Sequence, residues 1–113
     1  KKICEANNID FFAYSPLSFG ILCIDPDKEE NKEKSFIRNA LFENYKKPTY
    51  ELRRCLKRIA NQRSVSQAQV AINWCCYQGT VPLVGMRKKS QVIDVSNVFK
   101  WNLNKEEFKF LFI

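Results

Sequence analysis

Thr80-Val81-Pro82-Leu83-Val84-Gly85-Met86-Arg87-Lys88-Lys89-Ser90-Gln91-Val92-Ile93-Asp94 is the stretch on which the fold turns. Its first five residues are a short, largely apolar run between Gly79 and Gly85, which predicts a strand. Pro82 weakens an interior place for it in a sheet. Gly85 is read as the residue that lets the backbone turn tightly, and a helix is expected from near Ser90 to Asn97. Arg87, Lys88 and Lys89 gather between strand and helix. A helix N-terminus presents unpaired N–H groups and the positive end of a dipole, which suits a phosphate. Arg87 adds a planar fork, and Asp94 offers an acceptor to a ribose or a base amine. A solvated basic turn is the other reading of the same residues.

Upstream, Lys1 to Asn8 has the look of a helix tail. Ile9-Asp10-Phe11-Phe12-Ala13-Tyr14 is short and aromatic-rich and is followed by Pro16, so it predicts a second, buried strand. Residues 23–34 are a charged, solvated loop. Ser35 to Tyr45 stays ambiguous, with Phe36, Ile37, Leu41 and Phe42 able to form a short helical patch. Pro48-Thr49 opens a clear helix with Thr49 as N-cap. Leu52, Cys55, Leu56, Ile59 and Ala60 form its apolar face, with Arg53, Arg54, Lys57 and Arg58 largely outside it. Ser66 and Gln69 make a capping box for a deeply buried helix that ends at Gln78-Gly79. Asn104 and Glu107 cap a last helix through Phe110. Helices alternating with short buried strands predict an α/β protein with parallel strands. Two parallel strands do not complete a sheet, because parallel strands are covered on both faces by neighbours.

Composition narrows the function. The 113 residues carry a formal charge of +7 and contain no histidine. The commonest general base, and the usual partner of a nucleophilic serine or cysteine, is therefore missing. Five cysteines without a CxxC pair argue against zinc and for buried free thiols in a reducing compartment, cytoplasmic or otherwise intracellular. No run is apolar enough to span a bilayer. The start, Lys1-Lys2-Ile3-Cys4, has no Met and no apolar leader, and reads as a cut inside a longer protein. A nucleic-acid-binding domain would need base-stacking aromatics on a polar face, which the pattern lacks.

Ala13-Tyr14-Ser15-Pro16-Leu17-Ser18-Phe19-Gly20-Ile21-Leu22 lies at the C-terminal end of the first strand, the end that faces the active site in an α/β barrel. Tyr14 offers a flat face to a planar ligand and Ser15 a hydroxyl; a core aromatic followed by a turn is the alternative. Phosphate sites of such barrels are often built from the loops after strands seven and eight, which matches the order of the two segments.

Taken together, Ala13-Tyr14-Ser15-Pro16-Leu17 with Gly20 and Leu22, the block Ser66 to Cys75, Val81 to Gly85 with Arg87, Gln91 and Asp94, and Trp101-Asn102-Leu103-Asn104 with Glu106-Glu107 resemble the aldo-keto reductase family. The long loop after the first strand is more like its potassium-channel β-subunit and plant-type branch. The resemblance implies that residues 1–113 are one partial domain, the C-terminal portion of a (β/α)8 TIM barrel with its last two strands and surrounding helices. Such a piece is incomplete alone. It is expected to associate or to belong with a missing N-terminal part.

The resemblance further implies an oxidoreductase that uses NADP(H) to reduce a small-molecule aldehyde or ketone, without nucleic-acid or membrane partners. The alternative is a non-catalytic NADP-binding regulatory subunit on the same scaffold. Carried over, Tyr14 stacks on the nicotinamide, and Ser15, Leu17, Gly20 and Leu22 line the pyrophosphate. Arg87, just after Gly85, meets the 2′-phosphate, and Gln91 and Asp94 hold that phosphate and the adenine edge. Where the family pattern has Glu-Asn, this chain has Asp94-Val95. The family's catalytic Asp, Tyr, Lys and His lie on earlier strands. No catalytic or metal-binding residue is assigned here, and the piece alone is expected to be inactive.

Overall fold

In a computed structural model of the chain, residues 1–28 and 36–112 are described. Strands β1 (Phe12–Tyr14) and β2 (Val81–Leu83) pair in parallel, with Phe12 opposite Val81, Ala13 opposite Pro82 and Tyr14 opposite Leu83. Helix α1 (Lys2–Ala6) precedes β1. Between the strands come a 3₁₀ segment (Ser18–Cys23), α2 (Phe36–Lys46), α3 (Tyr50–Arg63) and α4 (Gln67–Tyr77). After β2 come α5 (Lys89–Ser96), a 3₁₀ turn (Asn97–Lys100) and α6 (Lys105–Phe110). Both expected strands exist but are shorter than their apolar runs. The ambiguous stretch from Ser35 is helical from Phe36. Part of the charged loop, residues 29–34, lies outside the described residues, as does Ser35.

The core lies between α3 and α4. Leu56, Ile59 and Ala60 of α3 pack with Val70 and Ala71 of α4, and Leu22, Leu103 and Leu111 complete the cluster. The spacing expected for α3 therefore holds, with Leu52 and Cys55 against its edge. Asn73 of α4 is buried. Its Nδ2 donates to the carbonyls of Val98 (3.3 Å) and Trp101 (2.9 Å), and its Oδ1 accepts from the Leu103 N–H (3.2 Å). A buried amide is tolerable only when bonded in this way. Here the bonding pins the segment after α5 to the core.

Three expectations are corrected. The first concerns the strands, which were expected to be buried. In each, the outer positions are exposed and the middle one is half-buried. Phe12, Tyr14, Val81 and Leu83 thus share a bare face, while Ala13 and Pro82 lie on the other, where α4 packs on β2. No second layer among the described residues covers the bare side.

Next, Arg53 is fully buried, not outside the apolar face. Its Nη2 donates to the carbonyl of Lys46 (2.9 Å), at the negative end of the α2 dipole, and its Nε to Thr49 Oγ1 (3.3 Å). The Phe42 and Tyr50 rings lie 6.0 and 5.9 Å from its guanidinium. Thr49 is the N-cap residue of α3, as expected, but its side chain makes no capping bond, because the hydroxyl donates to the Tyr45 carbonyl (2.6 Å).

Finally, the cysteines are free but not fully buried. Cys23 is exposed, and Cys4, Cys55, Cys75 and Cys76 are half-buried. Desolvation raises the thiol pKa of Cys55, Cys75 and Cys76 above the ordinary value, aided at Cys55 by Glu51. These three are poor thiolates at neutral pH.

The expected Asn104–Glu107 capping box is present. Glu107 Oε1 and Oε2 also accept from Arg63 Nε (2.7 Å) and Nη2 (2.8 Å), tying the end of α3 to the start of α6. The Arg63 hydrogen bond holds the Glu107 carboxyl below its ordinary value of 4.5, against opposition from burial. Because folding lowers this pKa, the stabilisation is complete above about pH 4.5 and is lost as pH falls through the folded value. Discounted for the partly exposed Arg63, Glu107→Gln is expected to cost about 1 kcal/mol at pH 7. Thermal unfolding across pH checks this: the deficit should vanish in acid, and a deficit independent of pH would exclude the ion pair as its cause.

Candidate functional site

A cleft of about 670 Å³ opens where the C-terminal ends of β1 and β2 lie side by side. Tyr14, Ser15, Pro16, Leu17, Phe19, Gly20, Cys23 and Ile24 form one wall. Leu83, Val84, Gly85, Met86, Arg87 and Gln91 form the other. The two segments singled out in the sequence thus meet at the same end of neighbouring parallel strands.

The first wall is a strap that leaves β1 in an unusual conformation. Ser15, Ser18 and Phe19 have φ of 53°, 47° and 58°, and Gly20 has 92°. Only glycine adopts this region without steric cost, so tertiary contacts must hold the other three. Local bonds help: Ser18 N–H donates to Ser15 O and Gly20 N–H to Leu17 O, both at 2.9 Å. Gln67, at the start of α4, donates its Nε2 to the carbonyls of Leu22 (2.9 Å) and Ile24 (3.3 Å). Lys57 of α3 bonds Asp25 Oδ1 (2.6 Å) and Asp27 Oδ2 (2.7 Å) just beyond the cleft.

The second wall is shaped by Gln91. Its Oε1 accepts from the backbone N–H groups of Arg87 (2.8 Å) and Lys88 (3.0 Å), folding the basic turn onto the first turn of α5. The N–H groups of Lys89 and Ser90, at the first helical positions, have no acceptor within their own helix. Gly85 has no left-handed φ, and a methyl built on it would meet nothing within 4 Å. Its backbone conformation therefore does not demand glycine, contrary to the expectation of a tight turn. Arg87 is exposed, and among the described residues no carboxylate pairs with it.

Of the residues singled out, Tyr14, Ser15, Leu17, Gly20, Gly85, Arg87 and Gln91 line the cleft. Leu22 and Asp94 do not. Leu22 is buried in the core beneath the strap. Asp94 accepts from Ser66 Oγ (2.6 Å) and Gln69 Nε2 (2.7 Å), while Gln69 Oε1 accepts from Trp101 Nε1 (3.0 Å). The expected Ser66–Gln69 box is thus half-formed. Ser66 accepts from the Gln69 N–H (3.1 Å), but the Gln69 side chain turns to Asp94 and Trp101. Phe19, Cys23, Ile24 and Met86 also line the cleft and were not singled out. Phe19-Gly20 carried a weak turn signal. Cys23 and Ile24 carried none, because their position depends on Gln67, which bonds the Leu22 carbonyl from 45 residues along the chain.

A sequence model of the Aldo/keto reductase family matches residues 1–111. The chain belongs to the aldo/keto reductase family. It is 34% identical over 107 residues to a chloroplastic pyridoxal reductase of Arabidopsis thaliana, covering 95% of this chain and 29% of that protein. It is 27% identical over 113 residues to a putative aryl-alcohol dehydrogenase of Schizosaccharomyces pombe, covering 96% and 34%. A putative aryl-alcohol dehydrogenase of Saccharomyces cerevisiae is 23% identical over 109 residues, covering 95% and 32%. The chain thus spans about a third of the length of these relatives. The family implies a (β/α)8 barrel, and this chain is an α/β piece with a two-stranded parallel sheet. None of its described helices is long and apolar enough to cross a membrane.

In this aldo/keto reductase chain Asp94 joins α5 to the start of α4 from behind the cleft. Asp94→Ala leaves the Ser66 hydroxyl and the Gln69 amide without their acceptor, at an expected cost of about 1–3 kcal/mol. Asp94→Asn, which keeps an acceptor oxygen, is expected to lose less. Urea midpoints rank the variants, and equal stability of Asp94→Ala and the parent would dismiss the network as a stabilising element.

Proposed function

We propose that this chain is the C-terminal, cofactor-binding part of an NADPH-dependent aldo-keto reductase that reduces aldehydes or ketones to alcohols. The observation that supports the reading best is the cleft between the ends of β1 and β2. One wall offers the Tyr14 ring and the other the guanidinium of Arg87, which has no carboxylate partner among the described residues. A dinucleotide has the matching chemistry, with a planar ring at one end and phosphates toward the other. The residues present fit such a ligand. The cleft is concave and largely apolar with few polar groups, as cofactor sites are. The first N–H groups of α5 have no acceptor within their helix, which suits an anion.

In this reading the bound nucleotide supplies a hydride to the carbonyl carbon. The chain's own residues bind and orient. Tyr14 stacks on the nicotinamide, and Ser15, Leu17 and Gly20 line the pyrophosphate. Arg87 forks onto the 2′-phosphate, with the α5 N-terminus beside it. Gln91 holds the backbone of the basic turn in place. Leu22 and Asp94 act from behind the walls, setting the strap's depth and the seat of α5. The two strands are the last pair of the barrel. Proton donation is assigned to none of the 113 residues, so this part alone is expected to be inactive. A complementary N-terminal part is the proposed partner, and its strands would cover the bare face of Phe12, Tyr14, Val81 and Leu83.

The test uses the full-length protein. Arg87→Ala is expected to weaken NADPH on the order of ten- to hundredfold, the loss of charge-assisted hydrogen bonds to one phosphate, while NADH binding changes little. Fluorescence titration with both nucleotides measures it. Equal NADPH affinity in parent and variant would defeat the phosphate assignment.

A further inference from the structure

The strap's conformation poses a question that its own sequence does not answer. Three non-glycine residues in the left-handed region are an unfavourable local choice, and such a wall keeps its shape only while something outside it imposes that shape. Its base is fixed by the buried Leu22 and by Gln67. Its far end is fixed by ions. Lys57 Nζ lies 2.6 Å from Asp25 and 2.7 Å from Asp27, and the Asp27 N–H closes back on Asp25 Oδ1 at 2.9 Å. Asp25 follows directly on Cys23 and Ile24, which line the cleft. Lys57 sits between Leu56 and Ile59, which are 2% and 1% exposed, so it projects from a turn of α3 that is anchored in the core. The clamp therefore joins a strained cleft wall to a fixed helix. Consistent with a formed cluster, hydrogen bonding to the two aspartates raises the Lys57 pKa, and the bond to Lys57 lowers that of Asp25.

We propose that Lys57, with Asp25 and Asp27, is a positioning residue that holds the strap against α3 and so sets how fast a nucleotide leaves the cleft. This rests on the reading of the cleft as a nucleotide site. Lys57 is not itself a lining residue of the cleft and acts through the strap. Two mechanisms could couple it to the ligand, and they differ in sign. A tether weakens when either partner is removed. A through-space field acts on an anionic ligand according to charge, so losing Lys57 weakens binding and losing the two carboxylates strengthens it.

The experiment compares the full-length parent with Lys57→Met and with the double variant Asp25→Asn/Asp27→Asn. Stopped-flow displacement of NADPH gives the off-rate, and hydrogen exchange of residues 17–25 is followed without ligand. The expected result is release about three- to tenfold faster in both variants, the range for a partly exposed ion cluster, with faster exchange of the strap in both. Lys57→Arg should restore slow release. Off-rates moving in opposite directions would show a field effect and overturn the tether, as would unchanged release in both. Should the parent bind no NADPH, the nucleotide reading fails by itself. Strap exchange then still decides the clamp, because unchanged exchange in both variants overturns it.

Discussion

The architecture depends on the polar residues of one buried helix. Along α4, Gln67 bonds the strap, Ser66 and Gln69 bond Asp94, and Asn73 bonds the segment that runs to Leu103. An apolar helix surface would pack just as densely but would leave each neighbour free to slide, because hydrophobic contact has no direction. Hydrogen bonds in a partly buried setting have direction and carry a penalty when broken. The first turn of α4 consequently sets both walls of the cleft at once, the strap through Gln67 and α5 through Ser66 and Gln69. The spacing between the walls thus depends on that one turn, together with Gln91 in the basic turn and Lys57 at the end of the strap.

The sheet shows the complementary constraint. Parallel strands are ordinarily covered on both faces. Here one face has α4 behind it, and the other presents Phe12, Tyr14, Val81 and Leu83 to solvent. Four large apolar side chains on two three-residue strands are a poor solution for a surface and a good one for an interior. Tyr14 is at once the most exposed of the four and a residue of the cleft, so whatever covers this face also completes the cleft. At that position, covering the sheet and completing the cleft are the same event.

How much of this was legible in the sequence depended on range. The Asn104–Glu107 box was readable because both partners lie within one helical turn, and the apolar face of α3 because its spacing is periodic. The parallel order of the strands and their shared rim followed from the alternation of helix and strand. Arg53 was misread because its partners, the α2 terminus and the rings of Phe42 and Tyr50, form only when α2 meets α3. Asp94 looked like a ligand group because Ser66 and Gln69 lie 28 and 25 residues away. The left-handed serines of the strap carried no signal, since serine has no marked preference for that conformation and the tethers that impose it are distant. Within the site, the residues that line the cleft were mostly legible, whereas the residues that hold the walls in place were not.

Three arginines show what remains for a ligand. Arg53 is spent on a helix end and two rings. Arg63 is spent on Glu107 and lies 5.8 Å from the Trp101 ring. Arg87 lies at the cleft without a carboxylate partner among the described residues, next to Lys88 and Lys89, in a chain whose formal charge is +7. An arginine already paired inside the protein must break that pair to bind an anion, which cancels much of the gain. An uncommitted one at the mouth of a partly apolar cleft gives up only hydration, and guanidinium is weakly hydrated. The excess charge is therefore informative by position and not by amount. The chain commits Arg53 and Arg63 to contacts that build its fold and leaves the arginine at the rim where the two strands end without a carboxylate among the described residues.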